Sequence, residues 1–397
     1  MPETSQASSS VSVMKIVHFL PSIRFAEGGV VRAVLDWCRM LSACGHRVTL
    51  MTHDTIDVPD GWHLPGLARP TVIKLPPVQR LGRLSASAVS LVREAVVASD
   101  VVHLHAPWIV ANGRIATIAR EFGKPYILSL HGMLDDWSMT QRHVKKRIFL
   151  ALFARRLLDR AAVVHCTALA ELNQARKWFS NARTIVLPYL IDLEPFMDPP
   201  GPALARATFP QAATPDPIIL FLGRLHKKKG VDLLIDAAGM LRDQCTPFRL
   251  LIAGVGEADF EHQLRAQVDT LGLNGSVFFI GLVKGDVKLS LYQSAEVFVL
   301  PTSQENFGMV LIESLACATP VITTRGVDIC EELLEAGADI VDRSPDAIAR
   351  AIRRAIDRRQ NGEMSGLKGK RWVFKNLSSE RITAHYLVLY RRIIDSM

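Results

Sequence analysis

The sequence predicts two tandem α/β domains, each built on a parallel sheet, facing each other across a cleft. Three observations carry this expectation. Short β-rich apolar runs alternate with stretches of helical period, the grammar of a parallel sheet. That alternation occurs twice, on either side of a proline-rich break at 184–217. The chain has 397 residues, too many for one ordinary core.

In the first half, "VMKIVHFLPS" reads as a strand ending in a polar turn. "AEGGV" follows, then the amphipathic helix "VVRAVLDWCRMLSACG", with Gly45 placed to end it at the C′ position. "HRVTLMTHD", "DVVHLHAPW", "PYILSLHG" and "AAVVHCTA" are further strands, with helices around "GRIATIAREFG" and over 141–160. The break contains Pro188, Pro195, Pro199, Pro200, Pro202, Pro210, Pro215 and Pro217, and predicts a connection with at most one short helix. In the second half the strands are "IILFLG", "FRLLIAG", "SVFFIGLV", "EVFVLP" and "PVITT", alternating with helices. Ligands of open parallel sheets sit beyond the carboxyl ends of the strands. Loops that follow strands are therefore the places to look for chemistry.

Composition narrows the class. Hydrophobic residues make up 49% and charged residues 22%, as in a soluble globular protein. "MPETSQASSS" (1–10) reads as a disordered tail and lacks the pattern of a signal peptide. No apolar run approaches the ~18 residues of a membrane span. The six cysteines show no C-x-x-C pair and no zinc-like spacing, so reduced thiols in a cytoplasmic protein are expected.

The net charge is +8 and the pI about 9.3. Nucleic acid is a poor explanation, because no recognition motif or aromatic-basic interleaving is present. "QRHVKKRIFLALFARRLLDR" (141–160) mixes Arg and Lys with Ile, Leu and Phe at helical spacing. It fits either a basic amphipathic helix on an anionic membrane or a surface helix with one side on the core.

"FLGRLHKKKGVDLLIDA" sets Arg224, Lys227, Lys228 and Lys229 between a strand and a helix. Basic side chains beside a helix N-terminus suit a phosphate or diphosphate, and they equally suit a solvated loop. The P-loop spacing is absent. "AEGGV" offers Gly28 and Gly29 for close backbone approach, or simply for a tight turn. "AGVGEAD" has Asp259 where a dinucleotide fingerprint needs its third Gly. "PTSQENFGMVLIE" places Glu305 at a strand end and Glu313 inside an apolar helix, where a carboxylate needs a partner.

The order of these motifs carries more than any one of them. "GRLHKKKG" followed by "ENFGMVLIE", with "GGV", "LSACGHRVTLMT" and "HG" upstream, resembles the retaining, nucleotide-sugar-dependent glycosyltransferases of group 1, or family 4, over nearly the whole chain. The resemblance implies a GT-B fold of two Rossmann-like domains. The first would span 11–197 and bind the acceptor; the second would span 198–378 and bind the donor. A terminal helix (379–397) would cross back to the first domain. It implies that Arg224 and Lys229 grip the donor diphosphate, with Glu313 on the ribose and Glu305 on the transferred sugar. Backbone amides of Asn306, Phe307, Gly308 and Met309 would contact sugar and phosphate, with Gly28 and Gly29 closing from the other domain. The nucleobase would meet backbone near Val283, and His131 would polarise or bind the sugar. His131 also fits a structural histidine. His105 and Trp108, like His103, either line the acceptor pocket or cap a strand. There is no D-x-D motif, so no metal or other cofactor is expected.

The implied donor is a UDP- or GDP-sugar. The implied acceptor is a saccharide, lipid-linked in keeping with the basic helix, as in exopolysaccharide or lipopolysaccharide assembly. Localisation would be cytoplasmic, with peripheral association at an anionic membrane through 141–160. Three other readings remain. A retaining hydrolase needs two carboxylates ~5–5.5 Å apart. A sugar phosphorylase would share the fold and the need for basic residues. A non-catalytic nucleotide-binding protein is the third.

Overall fold

A computed structural model describes residues 12–63, 68–141, 143–179, 182–363 and 366–396. The tail expected at 1–10 lies outside the described residues. The first sheet contains β1 (Lys15–Phe19), β2 (Arg47–Thr52), β3 (Thr71–Lys74), β4 (Val101–His105), β5 (Tyr126–Ser129), β6 (Val163–Cys166) and β7 (Thr184–Val186). Its spatial order is β3-β2-β1-β4-β5-β6-β7, all parallel. The second sheet contains β8 (Ile218–Leu222), β9 (Arg249–Ala253), β10 (Val277–Gly281), β11 (Val297–Leu300), β12 (Val321–Thr324) and β13 (Asp339–Val341). Its order is β10-β9-β8-β11-β12-β13, again parallel.

Central strands are buried along their whole length. All five residues of β4 and all four of β11 are buried, which is why "VVHLH" and "VFVL" read as near-continuous runs. The helix Gly29–Ala43 buries Val31, Val34, Leu35, Trp37, Cys38 and Leu41 against the first sheet, at helical spacing. Gly45, at φ 84°, ends it as its sequence position suggested.

Strand order reverses between β1 and β4 in the first sheet, and between β8 and β11 in the second. A crevice opens at such switch points. The loops carrying Gly28–Gly29, Arg224–Lys229 and Glu305–Gly308 follow β1, β8 and β11, so both crevices are lined by the motifs found in sequence.

The proline-rich break differs from expectation at its start, where Thr184–Val186 form the edge strand β7. Three partly buried residues between prolines and turns give too short a period to read. A short helix (Ala203–Thr208) does follow. The last two helices, Gly366–Asn376 and Ser379–Asp395, break at Leu377–Ser378. The final helix returns to the first domain. Tyr386 Oη meets His165 Nε2 at 2.9 Å, Tyr390 Oη meets His103 Nδ1 at 2.8 Å, and Ser379 Oγ donates to the Ile191 carbonyl at 2.8 Å. Among the described residues, no helix is long and apolar enough to cross a membrane.

Candidate functional site

The loop after β8 turns sharply. His226 Nδ1 accepts from the Lys228 amide, and Lys227–Lys229 form one tight helical turn ended by Gly230. Successive lysines therefore point in different directions. Lys229 pairs with Glu305 from the loop after β11. Lys228 lies over the Trp137 ring, 4.8 Å from its centroid. Arg224 is exposed and has no carboxylate partner among the described residues. Burial alone would push the Glu305 carboxyl up, but the Lys229 and Lys228 ammoniums outweigh it and hold the group below its usual value.

The helix Met309–Ala316 starts from Gly308, in a left-handed conformation at φ 66°. The backbone amides of Asn306, Phe307, Gly308 and Met309 donate to no protein acceptor among the described residues. Four free donors at a helix N-terminus make an anion-binding surface. Glu313, on the next turn, is buried. Its carboxylate accepts from Lys288 Nζ at 2.6 Å and from Tyr292 Oη at 3.2 Å. These are the partners its burial demanded.

The first domain closes on this surface. A β-carbon at Gly28 would lie 3.6 Å from the Arg224 guanidinium, and one at Gly29 would lie 3.3 Å from Met309 Cγ. Gly28 sits at φ 108°, where a side chain would strain the backbone even though the β-carbon itself would make only ordinary contact with Arg224. Beyond β5, His131 and Gly132 both adopt positive φ, and a β-carbon at Gly132 would lie 2.7 Å from Asn306 Cβ. Val283 is buried in the loop after β10, and its neighbour Lys284 bridges to Asp57 of the first domain at 2.9 Å.

Beneath this seam runs a polar network with no signature local in sequence. Glu171 is buried and accepts from the amides of Gly132 (2.5 Å) and Thr167 (2.6 Å). Its partners orient the Asn306 amide, whose nitrogen donates to Glu171 Oε2 at 3.2 Å while its oxygen accepts from Thr167 Oγ1 at 2.9 Å. Burial raises the Glu171 carboxyl above its ordinary range. Alongside, Asp328 Oδ1 accepts from Gln174 of the first domain at 2.9 Å and Gln304 of the second at 3.0 Å.

The histidines require a correction. His105 is fully buried, with His18 Nδ1 at 3.1 Å from its Nε2 and His131 Nε2 at 3.0 Å from its Nδ1. It cannot line an acceptor pocket. The His131 ring is also engaged at both nitrogens, the second by Tyr189 Oη at 2.8 Å. Burial lowers His18 and His131 to about 3 and His165 to about 4, so these rings are neutral. What the His131–Gly132 turn presents to the cleft is therefore its backbone rather than a free imidazole. His18, His103 and His105 bring ring nitrogens within 4.8 Å of one another, but both nitrogens of His103 and of His105 already hold hydrogen bonds. Trp108 is half-buried. It donates to the Met133 carbonyl at 3.0 Å and lies under Lys146.

The sequence reading missed Lys288, Tyr292, Glu171, Thr167, Tyr189 and Asp328. One signal was available for the histidines. They fall on β1, β4 and β6, and just beyond β5, and "HLH" puts two on one face of a strand.

Two Rossmann-like domains, with a cationic loop and a helix N-terminus at the switch points, have the architecture of the GT-B fold. Residues 28–189 match the family described as glycosyl transferase 4-like domain, and residues 207–372 match glycosyl transferases group 1. The chain belongs to this glycosyltransferase family. It is 31% identical over 182 residues to an uncharacterized glycosyltransferase of Methanocaldococcus jannaschii, covering 45% of this chain and 46% of that protein. It is 30% identical over 247 residues to a GDP-mannose-dependent alpha-(1-6)-phosphatidylinositol dimannoside mannosyltransferase of Mycobacterium tuberculosis, covering 60% and 61%. The matching segment thus spans less than two thirds of either relative. The fold is shared with Anabaena HepE, solved in complex with UDP-glucose, at TM-score 0.77 and 20% identity over 97% of this chain and 100% of that one.

The Asp328 contact between the domains makes a testable pH dependence. Burial, with Glu171 and Asp135 nearby, raises its carboxyl from 3.8 to about 7, although Gln304 and Gln174 donate to it. The folded state then holds a proton that the unfolded state has lost. Stability is present at low pH and declines as pH rises from the ordinary carboxylate range to about 7. Asp328→Asn should melt higher than the parent at pH 8 and alike near pH 4. Each kcal/mol recovered is worth about 2–4 °C for a domain of this size. Parallel melting curves for the two proteins across that range would contradict the assignment.

Proposed function

We propose that the chain transfers a sugar, with retained configuration, from a nucleoside diphosphate sugar to a saccharide acceptor. One observation carries the reading. Arg224, the Lys229–Glu305 pair and the four free amides at 306–309 converge opposite Gly28–Gly29. Such a surface meets the charge that develops on a departing diphosphate, and preorganised electrostatics of this kind is often the largest catalytic contribution. The proposed step is front-side. The bond from the anomeric carbon to the phosphate oxygen breaks as the acceptor oxygen bonds to the same face. The acceptor's proton passes to the leaving phosphate oxygen.

In this reading Glu305, which pairs with Lys229, orients the transferred sugar. Glu313, tethered by Lys288 and Tyr292, receives the ribose hydroxyls. The nucleobase meets backbone near Val283. The names of the relatives point to both UDP and GDP as donor nucleotides. The hydrolase reading fits less well. Glu305 is held ionised by an ion pair, which makes a poor general acid, and Glu313 is engaged by two donors.

The acceptor is proposed to be lipid-linked, in polysaccharide assembly, with the protein seated on the cytoplasmic membrane face. The support is the helical segment after His143. One side packs Leu150, Ala154, Leu157 and Leu158 into the core, while Val144, Ile148, Leu152 and Phe153 stand more than half exposed. Lys145, Arg147, Arg156 and Arg160 are exposed among them. An apolar ridge set in cations suits an anionic bilayer.

Replacing Arg224 by Ala should lower transfer from a radiolabelled nucleotide sugar by ~10²-fold or more. Unchanged turnover would remove the residue from the donor grip. Sedimentation with phosphatidylglycerol vesicles checks the membrane assignment. Ile148→Glu with Phe153→Glu should cut binding at least ~10-fold, since each buried apolar side chain contributes ~1.5–3 kcal/mol. Equal binding by this double variant would contradict it.

A further inference from the structure

The structure holds a pocket of about 430 Å³ between the domains, beside the donor grip. Trp137 and Gln141 line it from the first domain; His226, Lys227, Lys228 and Ser303 line it from the second. Its size falls within the range of small-ligand sites, ~300–1,000 Å³. It shares one turn of chain with the proposed diphosphate site, because Lys228 and Lys229 are neighbours that point apart.

Lys228 is the informative residue. It is half-buried, its ammonium lies over the Trp137 ring, and it forms no ion pair among the described residues. Burial pulls its pKa down, while the charge of Glu305 works the other way. A partly desolvated cation is poorly satisfied unless an anion joins it. Glu257 also lines the pocket, but it is exposed and pairs with none of these cations. An aromatic face next to an unpaired ammonium fits a particular ligand chemistry: a pyranose ring with a compact anionic group. The sugar ring would pack against the part of the indole that Lys228 leaves open, and the anion would sit on Lys228 and Lys227.

We propose that this pocket is an acceptor subsite for a saccharide carrying a phosphate or carboxylate, with Trp137 and Lys228 as its specificity-determining residues. The proposal rests on the glycosyl-transfer reading for its biological role, but its binding chemistry can be tested alone. Phosphorylated and uronic-acid acceptors share this anionic chemistry, and the experiment separates them.

The full-length protein is first saturated with whichever nucleoside diphosphate raises its melting temperature, so that the donor site is filled. It is then titrated calorimetrically with methyl glucoside, methyl glucuronide and glucose 1-phosphate. At least one anionic probe should bind tenfold or more tighter than the neutral glucoside. Preference for the phosphate identifies a phosphorylated acceptor, and preference for the glucuronide an acidic sugar. Lys228→Met should abolish the preference, Lys228→Arg should keep it, and Trp137→Ala should weaken all probes alike. Equal binding of neutral and anionic probes would overturn the proposal, as would a preference that survives Lys228→Met. If no nucleotide shifts the melting temperature, the donor reading fails instead. The same titration of the unliganded protein then still reads the dependence on Lys228.

Discussion

Arg224, Lys228 and Lys229 stand around a single carboxylate, Glu305, at the end of the second sheet's central strands. This local excess of positive charge is the constraint on which the site depends. Like charges so close repel, and partial burial removes the water that would screen them. Glu305 offsets one of them. The remaining charge is stable only where solvent, helix dipoles or a bound anion can meet it. That explains why the lysine turn lies at the open crevice rather than under it, next to the four unpaired amides of 306–309 that adjoin Glu305.

The seam between the domains follows a different rule. Groups buried there must find partners across it, because water is excluded. Glu171, Asn306 and Thr167 satisfy one another, as do Asp328, Gln174 and Gln304. Asn306 with Glu171 and Thr167, and Gln174 with Asp328, join the two domains, so these contacts exist only when the domains are together. The neutral histidine line His18–His105–His131–Tyr189 continues the network into the first core. The final helix seals that core with Tyr386 and Tyr390. The turn at His131–Gly132 is thereby fixed against Asn306, with both ring nitrogens of His131 engaged within the protein.

The fold was largely legible because parallel strands buried on both faces leave long apolar runs such as "VFVL", and the switch-point loops follow those runs directly. Arg224, Lys229, Glu305 and the helix start at Gly308 could be placed for that reason. Edge strands were less legible. Thr184–Val186 is too short and too exposed to differ from the loop around it. The histidine network was hidden because its members meet through sheet register. His18 lies beside His103, and Ser129 lies beside both His105 and His165. Sequence spacing does not report such pairs, so His105 was open to an acceptor role that its full burial removes. Glu313 was the intermediate case. Its burial, and hence its need for a partner, could be read from "MVLIE", but Lys288 and Tyr292 could not.

The central claim is that the cationic loop recognises a diphosphate. Calorimetric binding of a nucleoside diphosphate and of the matching nucleoside, compared from low to high salt, tests it most directly. The diphosphate should bind at least ~100-fold tighter at low salt, the equivalent of about two charge-assisted hydrogen bonds. That advantage should shrink as salt screens the loop and should largely vanish in Lys229→Met. Equal affinity for nucleoside and nucleoside diphosphate, indifferent to salt and to Lys229, would contradict it.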